Sequence, residues 1–349
     1  NSIKVSPATN TSYTVQVTNK VGCTKTDGVL VRVSNPNANI TDDAILCYGN
    51  DITLSINVSG GSAPYNYSWS PGGNTTSSII VSPTADTYYF VSVTDSYGCF
   101  LEDSVMVNVS HPMISASQDD TICIGSSTTL SGFVSDGYTP YSYLWTPGNN
   151  TTTSIVVNPV TTTTYSFILT DSAGCTLSED VVITVSNPIA NPGYDDTICL
   201  GQNSFLNGSA SGGIPPYQYN WSYLGSTTSS ITVTPIVNTT YTLSVTDDFG
   251  CTHSEDVIVL VSNFSISPMN DDTICSGSSA VLAAINSGGI GPFNYNWSPG
   301  GETTSPINVN PNISTTYTVT VNDLANCSAT DDVIVVVSQP IADAGIDDT

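Results

Sequence analysis

Nine cysteines in two evenly stepped series are the residues of this chain whose type and spacing could do chemistry. One series is Cys47, Cys123, Cys199 and Cys275; the other is Cys23, Cys99, Cys175, Cys251 and Cys327, and both keep one constant step, the span from Cys47 to Cys123. Thiols in such a pattern either hold a soft metal ion or oxidise to disulfides. A zinc site draws on closely spaced ligands such as a CxxC pair with histidines. The chain has no CxxC, and its two histidines, His111 and His253, stand at unrelated positions of the period. Disulfides are therefore expected. Pairing the two cysteines within one step joins Cys47 with Cys99, Cys123 with Cys175, Cys199 with Cys251 and Cys275 with Cys327, and leaves Cys23 to a partner before residue 1. Such bonds imply an oxidising, extracytoplasmic location. In the chain-entropy account each closed loop of this size stabilises by about 4 kcal/mol.

Carboxylates are the second group that could do chemistry. Asp119 with Asp120, Asp195 with Asp196, and Asp271 with Asp272 recur in step, with Asp42 and Asp43 one residue out of phase. Asp95, Asp171, Asp247 and Asp323 each precede a second-series cysteine by four. Acids gathered where one unit meets the next could hold Ca²⁺, which takes six to eight oxygens. They also suit plain turns, where aspartate bonds to its own backbone; no DxDxDG loop is present. No other cofactor is indicated. Nucleophilic catalysis needs a base within hydrogen-bond reach, and no unit offers a Ser, His, Asp set. Paired acids could serve a glycosidase, but acids repeated in every unit suit a scaffold better than one cleft, so no enzyme is expected.

The charge balance excludes further classes. Against 29 acidic residues stand four basic ones, Lys4, Lys20, Lys25 and Arg32, and none follows position 32. Phosphate binding requires lysine or arginine, so nucleic acid is not a partner. No apolar run has transmembrane length; targeting and anchoring signals are expected outside this segment.

The elements that must position these groups repeat with them. Trp69, Trp145, Trp221 and Trp297 keep the same 76-residue step, as do Tyr13, Tyr89, Tyr165, Tyr241 and Tyr317 and the closing serines Ser34, Ser110, Ser186, Ser262 and Ser338. Periodicity of this length marks an array of similar domains. The reading is four complete units, 37–112, 113–188, 189–264 and 265–340, with the C-terminal part of a unit at 1–36 and the start of another at 341–349. Within 37–112, Ile52, Leu54, Ile56 and Val58 alternate with polar residues, as a half-buried strand requires. Tyr65, Tyr67 and Trp69 follow at period two after a Gly-Gly break, and shorter alternating runs separated by Pro and Gly complete the unit. Five short strands with turns every eight to twelve residues, and no helical periodicity, indicate an immunoglobulin-like β-sandwich. The fold class is thus all-β, a tandem array of small disulfide-stapled sandwiches. The aromatic triads, such as Tyr141, Tyr143 and Trp145, are assigned to the cores, with Trp69, Trp145, Trp221 and Trp297 as the core aromatics, since aromatic side chains bury large areas. The alternative, a sugar-stacking platform, would need the rings exposed.

The combination GG, PYxYxW, SPGG, SIxVxP, TTYxxxVTDxxGC and EDVxVxVS resembles the PKD-like and gliding-adhesin repeats of very large surface proteins of Bacteroidota, and it runs through the whole chain. The resemblance implies an exported cell-surface or extracellular fibre or adhesin stalk. Its partners would be neighbouring repeats of the same chain, laterally bundled copies and a glycan or surface ligand. It also implies covalent glycans, since Asp followed by Thr or Ser and a small or apolar residue is similar to the O-glycosylation signal of that phylum, met here at Thr121, Thr197, Thr273, Ser104 and Ser172. Asn74, Asn150 and Asn238 lie in N-x-S/T sequons, which a chain so rich in Asn, Ser and Thr also forms by chance.

Overall fold

The computed structural model describes residues 2–268, 270–343 and 345, and every regular element among them is a strand. The expected start of a further unit at 341–349 lies largely outside the described residues. Contacts divide the chain into two compact units. One is Asn1–Asp120, Ser127–Asn158 and Thr162–Ile183; the other is Thr121–Ser126, Pro159–Thr161 and Thr184–Thr349.

In the first unit, Thr11–Thr18 and Thr24–Val31 form an antiparallel hairpin. The sandwich that follows has seven strands, two more than the alternation predicts. Pro36–Ile40, Ile52–Gly60 and Ser78–Val81 make a three-stranded antiparallel sheet. The opposing sheet runs in the order Ala44–Cys47, Phe100–Ser110, Thr87–Thr94 and Asn66–Ser70. After Pro36–Ile40 the chain crosses to the second sheet, where Ala44–Cys47 pairs as a parallel strand, Ala44 opposite Val107 and Cys47 opposite Ser110. The two additional strands, Pro36–Ile40 and Ala44–Cys47, give a weak signal: PNANI is rich in residues depleted in strands, and AILC is an apolar run without alternation.

The same order recurs. A four-stranded sheet is built from Asp120–Cys123, Thr176–Ser186, Thr163–Thr170 and Ser142–Thr146. Its counterparts in the second unit are Asp196–Cys199, Thr252–Ser262, Thr239–Thr246 and Gln218–Trp221, then Asp272–Cys275, Ser328–Ser338, Thr315–Asn322 and Asn294–Ser298. In both of these the short strand pairs in parallel with the end of the eleven-residue strand. The facing sheets of the second unit split into two-stranded pieces, for example Pro188–Asn191 with Ser209–Gly212 and Ser204–Asn207 with Ser230–Val233.

Alternation explains which faces are inside. Along Thr163–Thr170, Tyr165, Phe167 and Leu169 are buried while their neighbours are half-exposed or exposed, as a strand with one face on the core must be. At the centre of each core lies a tryptophan: Trp69, Trp145, Trp221 and Trp297 are buried, and each indole N–H donates to a carbonyl, of Thr76 (2.8 Å), Thr152 (3.1 Å), Thr228 (3.2 Å) and Thr304 (3.0 Å). No disulfide crosses between the sheets among the described residues; Leu54, Ile56, Val91 and Val93 fill that space in the first sandwich.

Core volume is maintained by exchange between facing positions. Ile56 and Val91 share one core. At the corresponding places stand Gly132 with Phe167 and Gly208 with Leu243. A Cβ on Gly132 would overlap the Phe167 ring, and one on Gly208 would lie 2.6 Å from the Ser229 carbonyl and 2.7 Å from Leu243. The missing side chain on one strand is thus the space occupied by the large one on the other. Gly132→Ile should destabilise this sandwich by about 1–3 kcal/mol through overpacking, and Phe167→Val in the same chain should restore most of the loss. Hydrogen exchange of the Thr128–Ser135 amides reads both effects, and two additive losses would show that the positions are not coupled.

Candidate functional site: the junction between sandwiches

The three disulfides are Cys47–Cys175, Cys123–Cys251 and Cys199–Cys327, each with a sequence separation of 128 and Cα atoms 5.4–5.5 Å apart. The expected pairing inside each step does not form. The reason is the direction of the last strand. Cys47 sits opposite Ser110, at the end of Phe100–Ser110, whereas Cys99 immediately precedes its start. Ten residue steps at ~3.3 Å separate the two ends by roughly 33 Å, so these thiols occupy opposite poles of one sandwich and cannot meet. Each first-series cysteine instead reaches the second-series cysteine one step further along the chain. Cys23, Cys99 and Cys275 have no disulfide partner among the described residues; cysteines at the same separation on the appropriate side would lie outside 1–349.

Beside each disulfide is a buried carboxylate. Asp95, Asp171, Asp247 and Asp323 are only 1–4 % exposed. In the first unit the Asp171 Oδ2 accepts from the Ser110 hydroxyl and from the Tyr138 N–H (3.2 Å), and its Oδ1 accepts from the N–H groups of Ala173 (3.0 Å) and Cys175 (2.8 Å). Ser110 is the closing residue of the preceding strand, and its carbonyl also accepts from the Tyr48 N–H (2.8 Å), next to Cys47. One serine therefore ties together the end of its own strand, the half-cystine strand beside it and the turn of the following sandwich. Asp95 repeats the arrangement with Ser34, Ser62, Tyr97 and Cys99. In the second unit Asp247 pairs with Ser186, Ile214 and Cys251, and Asp323 with Ser262, Ile290 and Cys327.

A glycine makes room for this approach. Gly137 has φ +71°, and a Cβ there would lie 2.9 Å from the Pro112 ring and 3.2 Å from the Asp171 carboxylate. Gly213 is equivalent, with φ +61° and the Asp247 oxygen 2.8 Å from the same hypothetical atom. A side chain would hold Pro112 or Pro188 away and open the junction.

The donors to these carboxylates are hydroxyl and backbone N–H groups rather than cations. Burial alone pushes Asp171, Asp247 and Asp323 up, but the serine hydroxyl and the ring of backbone N–H groups outweigh it and hold all three below the usual aspartate range. For Asp95 the Ser34 hydroxyl is the largest influence, in the same downward direction. Hydrogen bonds to the charged form do here what a salt bridge does elsewhere.

The other sequence-predicted residues are dispersed. The Oδ1 of Asp43, Asp119, Asp195 and Asp271 each accepts an N–H of the long strand, from Met106, Val182, Ile258 and Ile334 at 2.7–2.8 Å. Their neighbours turn elsewhere: Asp120 accepts from the Thr128 hydroxyl (3.0 Å), Asp196 from the Ser204 hydroxyl (2.6 Å), and Asp272 from the Thr273 N–H (2.7 Å). Among the described residues, no three His, Cys, Asp or Glu side chains gather as a metal site would require. His253 Nδ1 accepts from the Ala190 N–H (3.1 Å), and His111 stacks on Tyr48 with ring centroids 4.1 Å apart. The Asn238 Oδ1 accepts from the Val261 N–H (2.8 Å). Of the hydroxyls in the glycosylation-like motif, Thr197, Thr273, Ser104 and Ser172 are exposed and Thr121 is half-buried.

Sequence reasoning missed the serine–aspartate bond, although both partners were visible as periodic positions. The signal was their shared period with no apolar or turn role to account for the serine.

The geometry defines immunoglobulin-like sandwiches in tandem, with disulfides that join one sandwich to another. No characterised protein matches the chain by sequence. The SprB repeat profile matches residues 37–74, the first part of the first sandwich. Solved structures similar to the chain include the N-terminal eight Ig domains of Down Syndrome Cell Adhesion Molecule, at 15% identity and TM-score 0.33, covering 94% of this chain and 51% of that one, so the chain spans about half its length. Drosophila N-cadherin EC1-4 matches at 13% identity and TM-score 0.28, covering 79% of this chain and 92% of that one. The human Desmocollin-1 ectodomain matches at 12% identity and TM-score 0.27, covering 96% of this chain and 87% of that one.

Two outcomes test the junction. Digestion of the unreduced protein with an Asp-directed protease should release Cys47 joined to Cys175 and Cys123 joined to Cys251; recovery of Cys47 with Cys99 would restore the pairing inside one step. The buried aspartates also make the junction acid-sensitive. Because their folded pKa lies below the unfolded value of ~3.9, their contribution is complete above that value and is lost as pH falls through the folded pKa. Urea midpoints should drop between about pH 4 and the folded pKa. Ser110→Ala, which removes one donor from a buried carboxylate, should cost about 1–3 kcal/mol at neutral pH and flatten that acid limb.

Proposed function

We propose that the chain is a structural segment of a long extracellular fibre or adhesin stalk of the SprB, PKD-like kind, non-enzymatic and O-glycosylated at the Asp-Thr and Asp-Ser motifs. The observation that carries this reading is the junction: the same disulfide and the same buried Ser–Asp bond weld one sandwich to the next, so the repeated unit is organised around its two poles. The SprB repeat at 37–74 agrees with the surface setting implied by the sequence. An array of ligand-binding units would share an exposed aromatic position. Tyr88 and Phe90 are exposed side by side on the first sandwich, but their counterparts are Thr164 and Ser166, Thr240 and Thr242, and Thr316 and Thr318. Of the aromatics that do recur in every sandwich, Tyr67, Tyr143, Tyr219 and Tyr295 are half-buried, three packed on their cores and Tyr143 stacked on Phe167; that contrast favours spacers over sites. No helix among the described residues is long and apolar enough to cross a membrane.

Antibody against the chain, applied to intact source cells and viewed by gold labelling, should decorate thin surface filaments. Label confined to permeabilised cells would overturn the reading. Glycopeptide mass spectrometry of the native material should find hexose-type additions at Thr197 and Thr273; bare hydroxyls at both would remove the glycan coat and leave the stalk.

A further inference from the structure

We infer that the disulfide ladder is a force-bearing covalent bypass: tension passes along two tracks of already extended strand, and most of every sandwich is shielded from it. This deepens the stalk reading, but it rests on the connectivity of the cysteines and not on where the protein is found.

The argument is topological. Entering at Cys47, a pull crosses the disulfide to Cys175, follows the backbone from there to Cys199, and crosses again to Cys327. Of all the backbone between Cys47 and Cys327, only the segment 175–199 lies on this shortest covalent route. That segment is not slack. It contains the strands Thr176–Ser186, Pro188–Asn191 and Asp196–Cys199, of eleven, four and four residues. The other track uses Cys123–Cys251 and continues through the strands Thr252–Ser262, Ser265–Pro268 and Asp272–Cys275.

Within a sandwich the two tracks lie side by side. Asp196–Cys199 belongs to one and Thr252–Ser262 to the other, and they pair in parallel, Asp196 opposite Val259 and Cys199 opposite Ser262. Each track is anchored by a half-cystine, so tension runs along both in one direction and does not shear them apart. The chain from Cys199 to Cys251, which carries Leu206, Trp221, Val233, Tyr241, Leu243 and Val245 of the core, forms a loop hung between the tracks. Pulling the ends cannot thread that loop out while the disulfides are intact.

Single-molecule stretching of the whole chain from its two termini, with free thiols alkylated, tests this. Oxidised protein should reach a contour of about 92 residues, roughly 320 Å at ~3.5 Å per residue, and reduction should lengthen it about fourfold. Cys123→Ser with Cys251→Ser should leave the oxidised contour unchanged, because the route through Cys47, Cys175, Cys199 and Cys327 survives. Cys47→Ser with Cys175→Ser should about double it. Pairing inside each step would instead give a contour of roughly 490 Å at ~3.5 Å per residue. That longer oxidised contour, or one already equal to the reduced contour, would overturn the inference. Absence of surface filaments would sink the stalk reading and leave these lengths untouched.

Discussion

The fold depends on a carboxylate that is buried without a cation. An ionised aspartate taken out of water is unfavourable by several kcal/mol unless its oxygens are satisfied. Here four donors converge on it, three from the turn and loop around it and one, the serine hydroxyl, from the sandwich before. The turn is thereby shaped to present the Cys175 sulfur, and the preceding strand is brought to the distance at which Cys47 can reach it. Disulfide and hydrogen bond are two consequences of one docking, and Gly137 is the gap that lets it close.

That docking explains why the two cysteines of one step do not pair. A disulfide inside a sandwich would have staked one unit and left its neighbour free to swivel. Closing the longer loop, with its sequence separation of 128, restricts the unfolded chain by about 5 kcal/mol in the entropic account, but overlapping loops share part of that restriction, so the terms do not add. The larger effect is on the junction itself. Each bond crosses from the end of one sandwich to the beginning of the next, where contacts between small domains are otherwise few.

Much of this was legible in the sequence, and the parts that were not have physical reasons. Strands with strong alternation, such as Ile52–Gly60 and Thr87–Thr94, announced themselves, and the period located every tryptophan of the cores. Pro36–Ile40 and Ala44–Cys47 did not, because the first is rich in Asn and Pro, residues depleted in strands, and the second is an unbroken apolar run without a period. Missing the second of these had a consequence. Without its parallel register against the end of Phe100–Ser110, nothing placed Cys47 at the far pole from Cys99, and nearness in sequence was left as the guide to pairing. The serine–aspartate bond was hidden for a different reason: its partners, Ser110 and Asp171, lie in different sandwiches, and a bond between repeats has the same periodic signature as one inside a repeat.

The acidic composition follows from the same economy of donors. With 29 acids and four bases, ion pairing cannot be a general device, and the carboxylates that the structure uses are satisfied by N–H and O–H groups instead. Asp43, Asp119, Asp195 and Asp271 close an open N–H at the end of the parallel ladder, and Asp95, Asp171, Asp247 and Asp323 organise the junction. Exposed acids such as Glu179, Glu255 and Asp332 face solvent, where like charges repel. Screening by salt weakens that repulsion but reaches the buried aspartates least, since their partners are dipoles a few ångströms away and shielded from water. Cohesion and repulsion are therefore carried by the same residue type, separated only by burial, and the boundary between them is drawn by where the backbone offers its donors.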